Sequence, residues 1–82
     1  MTTTNVNITS VWSEAHGTAE TIDVSCNEVE WFSHIGATKP AETFTGRKLE
    51  KGKIYNIEMS GTDNLYARTK HNDMEFELAI DV

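Results

Sequence analysis

The sequence predicts an all-β domain, a compact antiparallel β-sandwich or barrel of about six to seven short strands with no substantial helix. Three observations predict it. The last third, Lys53 to Val82, alternates apolar and polar residues with period two, which lets a strand bury one face and wet the other. The alternating runs are short and are separated by stretches rich in Gly, Asn, Asp and Ser, the residues of turns. Glu42 to Glu50 holds helix formers but lacks the apolar stripe that a packed helix needs.

Within that last third, Tyr55, Ile57 and Met59 alternate with Asn56 and Glu58, and Ser60-Gly61-Thr62-Asp63 supplies a turn. Leu65, Ala67 and Thr69 then share a face opposite Tyr66 and Arg68. After a second turn at His71-Asn72-Asp73, the residues Met74, Phe76, Leu78, Ile80 and Val82 alternate with Glu75, Glu77, Ala79 and Asp81. This reads as a three-stranded antiparallel meander whose apolar face the rest of the chain must cover.

Taken from the start, residues 1–5 are polar and threonine-rich and read as a flexible arm, loose or reaching over a neighbouring subunit. Residues 6–82 read as a single domain. Val6 to Trp12 is expected as the first strand, and Ser13 to Gly17 as a turn. Thr18 to Cys26 follows as a strand with Ile22, Val24 and Cys26 inward, which gives Cys26 the role of a small buried hydrophobe. Asn27-Glu28 reads as a two-residue connection, although it lacks the glycine of the favoured hairpin turns.

Val29 to Ile35 is the next strand, with Val29, Trp31 and Ile35 on one face and Phe32 and His34 on the other. Adjacent aromatics on a strand point to opposite sides. Trp31 is therefore assigned to the core and Phe32 to partner contact. Gly36 to Gly46 has no periodicity and holds the only proline, Pro40, so it is a crossover, a binding loop or both. Phe44 in its middle is either a second contact residue or a ring tucked over the end of the core. Leu49 anchors the next short segment, and Lys51-Gly52 turns the chain. The inward set comprises Ile8, Trp12, Ile22, Val24, Trp31, Ile35, Leu49, Ile57, Leu65, Phe76, Leu78 and Ile80.

With 82 residues the chain is one domain, of a size that buries only roughly 60% of its unfolded surface. A single cysteine allows no internal disulfide. Association with copies of itself or with a larger partner is then the available source of further stability. A net charge of −6 disfavours nucleic-acid binding. The start has neither a basic nor an apolar region of the kind that a signal peptide carries, and no apolar run reaches membrane-spanning length. Synthesis in a cytoplasm is the expectation, with no membrane partner.

No catalytic, metal-binding or cofactor-binding residues are assigned. The histidines His16, His34 and His71 are scattered and match no zinc spacing. Glu75 and Glu77 share a strand face, but a chain this short rarely builds the cleft a glycosidase needs. A non-enzymatic role is expected, with Phe32, Phe44, Tyr66 and Arg68 as candidate partner-contact residues.

From about Val11 onward, the layout resembles small all-β structural proteins of tailed-bacteriophage virions. The resemblance is carried by Trp12, by Thr38-Lys39-Pro40-Ala41, by Gly46-Arg47-Lys48-Leu49-Glu50-Lys51-Gly52, by Ser60-Gly61-Thr62-Asp63 and by Leu65-Tyr66-Ala67-Arg68-Thr69. It lies in spacing and residue class, and Asn27-Glu28 and the histidines fall outside it. It implies a capsid decoration or cement protein, or a small head-fibre, neck or tail appendage, located in the virion. The implied partners are copies of itself, with a trimer favoured, and a larger virion protein such as the major capsid protein.

Two other classes are compatible with the residues. A receptor- or glycan-binding module would stack a sugar on exposed Trp31, Phe32 or Tyr66. A small acidic host-takeover inhibitor would mimic nucleic acid and requires carboxylates gathered on one face, whereas Arg68 and Lys70 interrupt the acidic strands.

Overall fold

The computed structural model describes residues 2–71 and 74–82. They form eight strands: β1 (Thr3–Ile8), β2 (Ser13–His16), β3 (Thr21–Ser25), β4 (Trp31–Gly36), β5 (Arg47–Leu49), β6 (Tyr55–Glu58), β7 (Asn64–Arg68) and β8 (Phe76–Asp81). Two four-stranded sheets result, ordered β1-β8-β3-β6 and β2-β7-β4-β5. All strand pairs are antiparallel. The fold is the all-β sandwich that the alternation predicts, with one strand more than expected. The extra strand is β2, in the stretch read as a turn, where the register slips between Glu14 and His16 and Ala15 is tucked into the core.

The meander is overturned. Strands β6 and β8 both flank β3 in one sheet, while β7 lies in the other, between β2 and β4. Every connection except β4–β5 crosses from one sheet to the other or joins strands that do not pair. The turn at Ser60–Asp63 is present, closed by Asp63 N–H to the Ser60 carbonyl at 3.1 Å, with Gly61 at φ 63°. It carries the chain across the sandwich instead of back along it. Alternation reports which face of a strand is buried and leaves its neighbour open. Asn72 and Asp73 of the second expected turn lie outside the described residues. The Asn27-Glu28 connection is likewise no hairpin, because β3 and β4 belong to different sheets.

Between the sheets lies the core of Ile8, Ile22, Val24, Cys26, Trp31, Leu49, Ile57, Met59, Leu65, Phe76, Leu78 and Ile80. Burial of such side chains contributes about 1.5–3 kcal/mol each. The Trp31 indole N–H is buried there with no partner among the described residues, a desolvation cost of about 1–3 kcal/mol. From the inward set, only Ile35 is exposed, at 40%, near the end of β4. Met74 and Val82, in register with the buried run of β8, are also exposed since they lie outside its ends.

Two further expectations change. The arm assigned to residues 1–5 is strand from Thr3 onward, with Thr3, Thr4 and Asn5 paired to Asp81, Ile80 and Ala79; Met1 lies outside the described residues. The first strand ends at Ile8 and not at Trp12. Trp12 is buried, but in a second cluster with Phe32 and Tyr66. That cluster lies on the outer face of the β2-β7-β4-β5 sheet, which is consequently covered on both sides. The burial of both Leu65/Ala67 and Tyr66/Arg68 along β7 follows directly.

Candidate functional site

The segment 37–46 joins β4 to β5 and folds back over that outer face. Arg68 holds it there. Its Nη1 donates to the Glu42 carbonyl at 2.8 Å and its Nη2 to the Phe44 carbonyl at 2.6 Å. The Glu42 carboxylate adds an ion pair to Nη1 at 3.8 Å and accepts the Trp12 main-chain N–H at 3.3 Å. Trp12 Nε1 donates to the Phe44 carbonyl at 3.2 Å, and the guanidinium carbon lies 4.8 Å from the Trp12 ring centroid. A buried guanidinium needs such partners, since an unpaired buried charge is strongly destabilising. Among the described residues, Arg68 Nε is the donor of this group left without a partner.

Gly46 completes the clamp. It has φ 80°, and a Cβ there would lie 2.5 Å from a Trp12 ring carbon and 2.9 Å from the Ser33 carbonyl oxygen. Only glycine supplies both the positive φ and the close approach. The chain can then leave the loop against the face of Trp12 and enter β5.

The clamp leaves Phe44 itself 45% exposed. Its ring meets His34 edge-on, with centroids 5.1 Å apart, and Trp12 at 6.3 Å. Beside it, where the edge strands β5 and β6 face each other, opens a cleft of about 260 Å³ lined by Ile35, Phe44, Leu49, Tyr55 and Ile57, with Arg47 and Asn56 among its polar wall residues. Strand β5 has only three residues, too few to close that side of the sandwich. The result is an exposed ring on a pinned backbone, next to an apolar recess.

The four residues expected at the contact are brought together, but in different roles. Phe32 is buried under Lys70, whose ammonium lies 5.3 Å from the ring centroid. Tyr66 is buried beside Trp12, with its hydroxyl accepting from Asn64 Nδ2 at 3.4 Å. Arg68 is buried as the loop's anchor. Phe44 alone presents its ring. Trp12, Ile35, Glu42, Gly46, Tyr55 and Ile57 are among the members that the sequence did not assign to the site. A signal existed for Glu42: an arginine on a strand with apolar neighbours requires acceptors, and the aperiodic segment was the place to look for them.

The rings on which a glycan was expected to stack are not available, since Trp31, Phe32 and Tyr66 are all buried. Glu75 and Glu77 line separate depressions, one with Thr9, Ser10 and Met74, the other with Asn5, Ser25, Asn27, Glu28 and Ala79. His16 bonds Glu20 at 2.7 Å, His34 sits among the aromatic rings, and His71 packs against Phe76. Among the described residues no three His, Cys, Asp or Glu side chains converge as metal ligands would.

Fold and site together define a small β-sandwich with an exposed aromatic ring on a clamped loop. Compared with family models, curated proteins and solved structures, the chain has no match.

Proposed function

We propose that this chain is a non-enzymatic structural protein of a tailed-bacteriophage virion, a capsid decoration protein or a small head or tail appendage, acting by binding to other proteins. The observation that carries the reading is Phe44, held half-exposed at the rim of an apolar cleft by a buried Arg68–Trp12 clamp. Such a ring offers a partner a rigid anchor whose ordering cost is already met by folding. The spacing of the segments from Trp12 to Thr69 resembles that of small virion proteins, and an 82-residue sandwich without a disulfide gains stability by association. Phe44 and Ile35 would insert against a larger virion protein, with Arg47 at the polar rim.

The test is quantitative mass spectrometry of gradient-purified particles of the phage that encodes the chain. The expected result is this protein in a fixed ratio to the shell protein. Its absence from intact particles would overturn the reading.

A second reading, the acidic inhibitor, is favoured by one observation. The outward positions of the β1-β8-β3-β6 sheet carry Asp23, Glu58, Glu77 and Asp81 and no lysine or arginine. Arg68, which weighed against this reading in the sequence, lies in the other sheet and is buried. A protein present in infected cells, absent from particles and bound to a nucleic-acid-binding enzyme would support this alternative.

A further inference from the structure

The sandwich has four edge strands, β1 and β6 in one sheet and β2 and β5 in the other. Exposed edges invite pairing with another chain, and natural proteins guard them with charges, brevity or bulges. Three of the four are guarded. Strand β2 carries Glu14 and an irregular register, β5 has three residues including Arg47 and Lys48, and β6 has four ending in Glu58. Strand β1 has none of these devices. It is six residues long, Thr-Thr-Asn-Val-Asn-Ile, without charge, proline, glycine or bulge.

Its main-chain groups can be assigned. Thr2 and Val82 exchange both of their hydrogen bonds, N–H to carbonyl, at 3.2 and 3.0 Å. Antiparallel ladders alternate bonded and non-bonded pairs, and the register continues from Thr3↔Asp81 to Ile8↔Phe76 without a shift. Thr4, Val6 and Ile8 therefore bond to β8, while the N–H and C=O of Thr3, Asn5 and Asn7 point out from the open edge. Thr3, Asn5 and Asn7 are all exposed.

We infer that this edge is an interface between two copies of the chain, which join antiparallel along Thr3–Asn7 about a two-fold axis at Asn5. Asn5 then pairs with Asn5 of the second copy, and Thr3 with Asn7 in both directions. Each is a pair that exchanges two bonds, so about six main-chain hydrogen bonds form with no register conflict. Side chains match as well, with Thr3 beside Asn7 on the outer face and Thr4 beside Val6 on the inner.

Charge permits the same occupant. Two chains of net charge −6 repel wherever their acidic residues meet, and β1 is the edge whose own residues carry no charge. The flanking carboxylates, Glu77 and Asp81, belong to the next strand, β8, and that of Asp81 is already engaged by the Thr3 hydroxyl. A two-fold contact of this kind uses up both edges and closes. It makes a dimer, in place of the trimer that the resemblance implies.

The inference does not rest on the virion reading. Light scattering across a dilution series, on the wild type, Asn5→Pro and Asn5→Cys, tests it. Proline at position 5 removes an N–H that points outward and leaves the β1–β8 ladder intact. The wild type should dimerise, and Asn5→Pro should weaken self-association at least about thirtyfold, the loss of two hydrogen bonds, with an unchanged circular dichroism spectrum. Asn5→Cys should give a covalent dimer on mild oxidation, because the paired Cα atoms would lie about 5.5 Å apart. A wild type that is monomeric at every concentration overturns the inference. So does a dimer that persists in folded Asn5→Pro, or one that Asn5→Cys fails to cross-link. Absence of the protein from phage particles would leave this result standing, and a monomer here would leave the Phe44 contact standing.

Discussion

Arg68 and Trp12 donate to the same oxygen, the main-chain carbonyl of Phe44, at 2.6 and 3.2 Å, while the guanidinium lies 4.8 Å from the indole centroid. One carbonyl thus ties a loop to two different elements, the strand β7 and the segment before β2. The loop's position depends on that shared acceptor, and so does the exposure of the Phe44 ring.

Arg68→Ala removes both carbonyl bonds and the cation–π contact, and it should destabilise the domain by about 3 kcal/mol. Arg68→Lys keeps the charge but cannot reach two carbonyls with one fork, so it should recover only part of that loss. Chemical denaturation measures the stability. Hydrogen exchange of residues 37–46 should rise in both variants before that of β3 or β8 changes.

Gly46→Ala should be as damaging as a core truncation. A non-glycine residue at φ 80° costs about 1–3 kcal/mol, and the added Cβ collides with Trp12 as well. A fall in melting temperature accompanied by a change in Trp fluorescence is the expected result.

Phe44→Ala and Phe76→Ala separate contact from core. Phe76 is 7% exposed and packed between the sheets, so its loss should cost about 3–5 kcal/mol. Phe44→Ala removes a ring that is nearly half in solvent, and it should cost under about 1 kcal/mol while abolishing partner binding. Thermal unfolding and a pull-down on the same samples would show the crossover.

Cys26 is fully buried, and its carbonyl accepts the Gly52 N–H at 2.7 Å. Its thiol should react with a thiol reagent only when the sandwich opens, so the labelling rate should track global stability. Rapid labelling of the folded protein would mean that β3 frays locally.

Much of the sandwich was legible because period-two alternation reports burial directly. Ile22, Val24 and Cys26, and Phe76, Leu78 and Ile80, are buried as their spacing requires. Strand partnership was not legible. Alternation assigns residues to faces, and the turn at Ser60–Asp63 reads the same whether the chain returns to its own sheet or crosses to the other. The outer-face cluster was hidden for a related reason. Phe32, Tyr66 and Arg68 sit on the side of their strands that a two-layer reading gives to solvent, and only the folded loop, with Glu42 and Phe44, turns that side into a third layer. Phe44 was recognised as a contact candidate because it stands in an aperiodic segment, where no strand neighbour would claim it.

The most direct measurement is re-addition of purified protein to phage particles made without it, comparing the wild type with Phe44→Ser by co-sedimentation. The account predicts saturable binding of the wild type at a fixed copy number and none of the folded variant. Equal binding of both would place the contact elsewhere, and binding of neither would contradict a role in the virion.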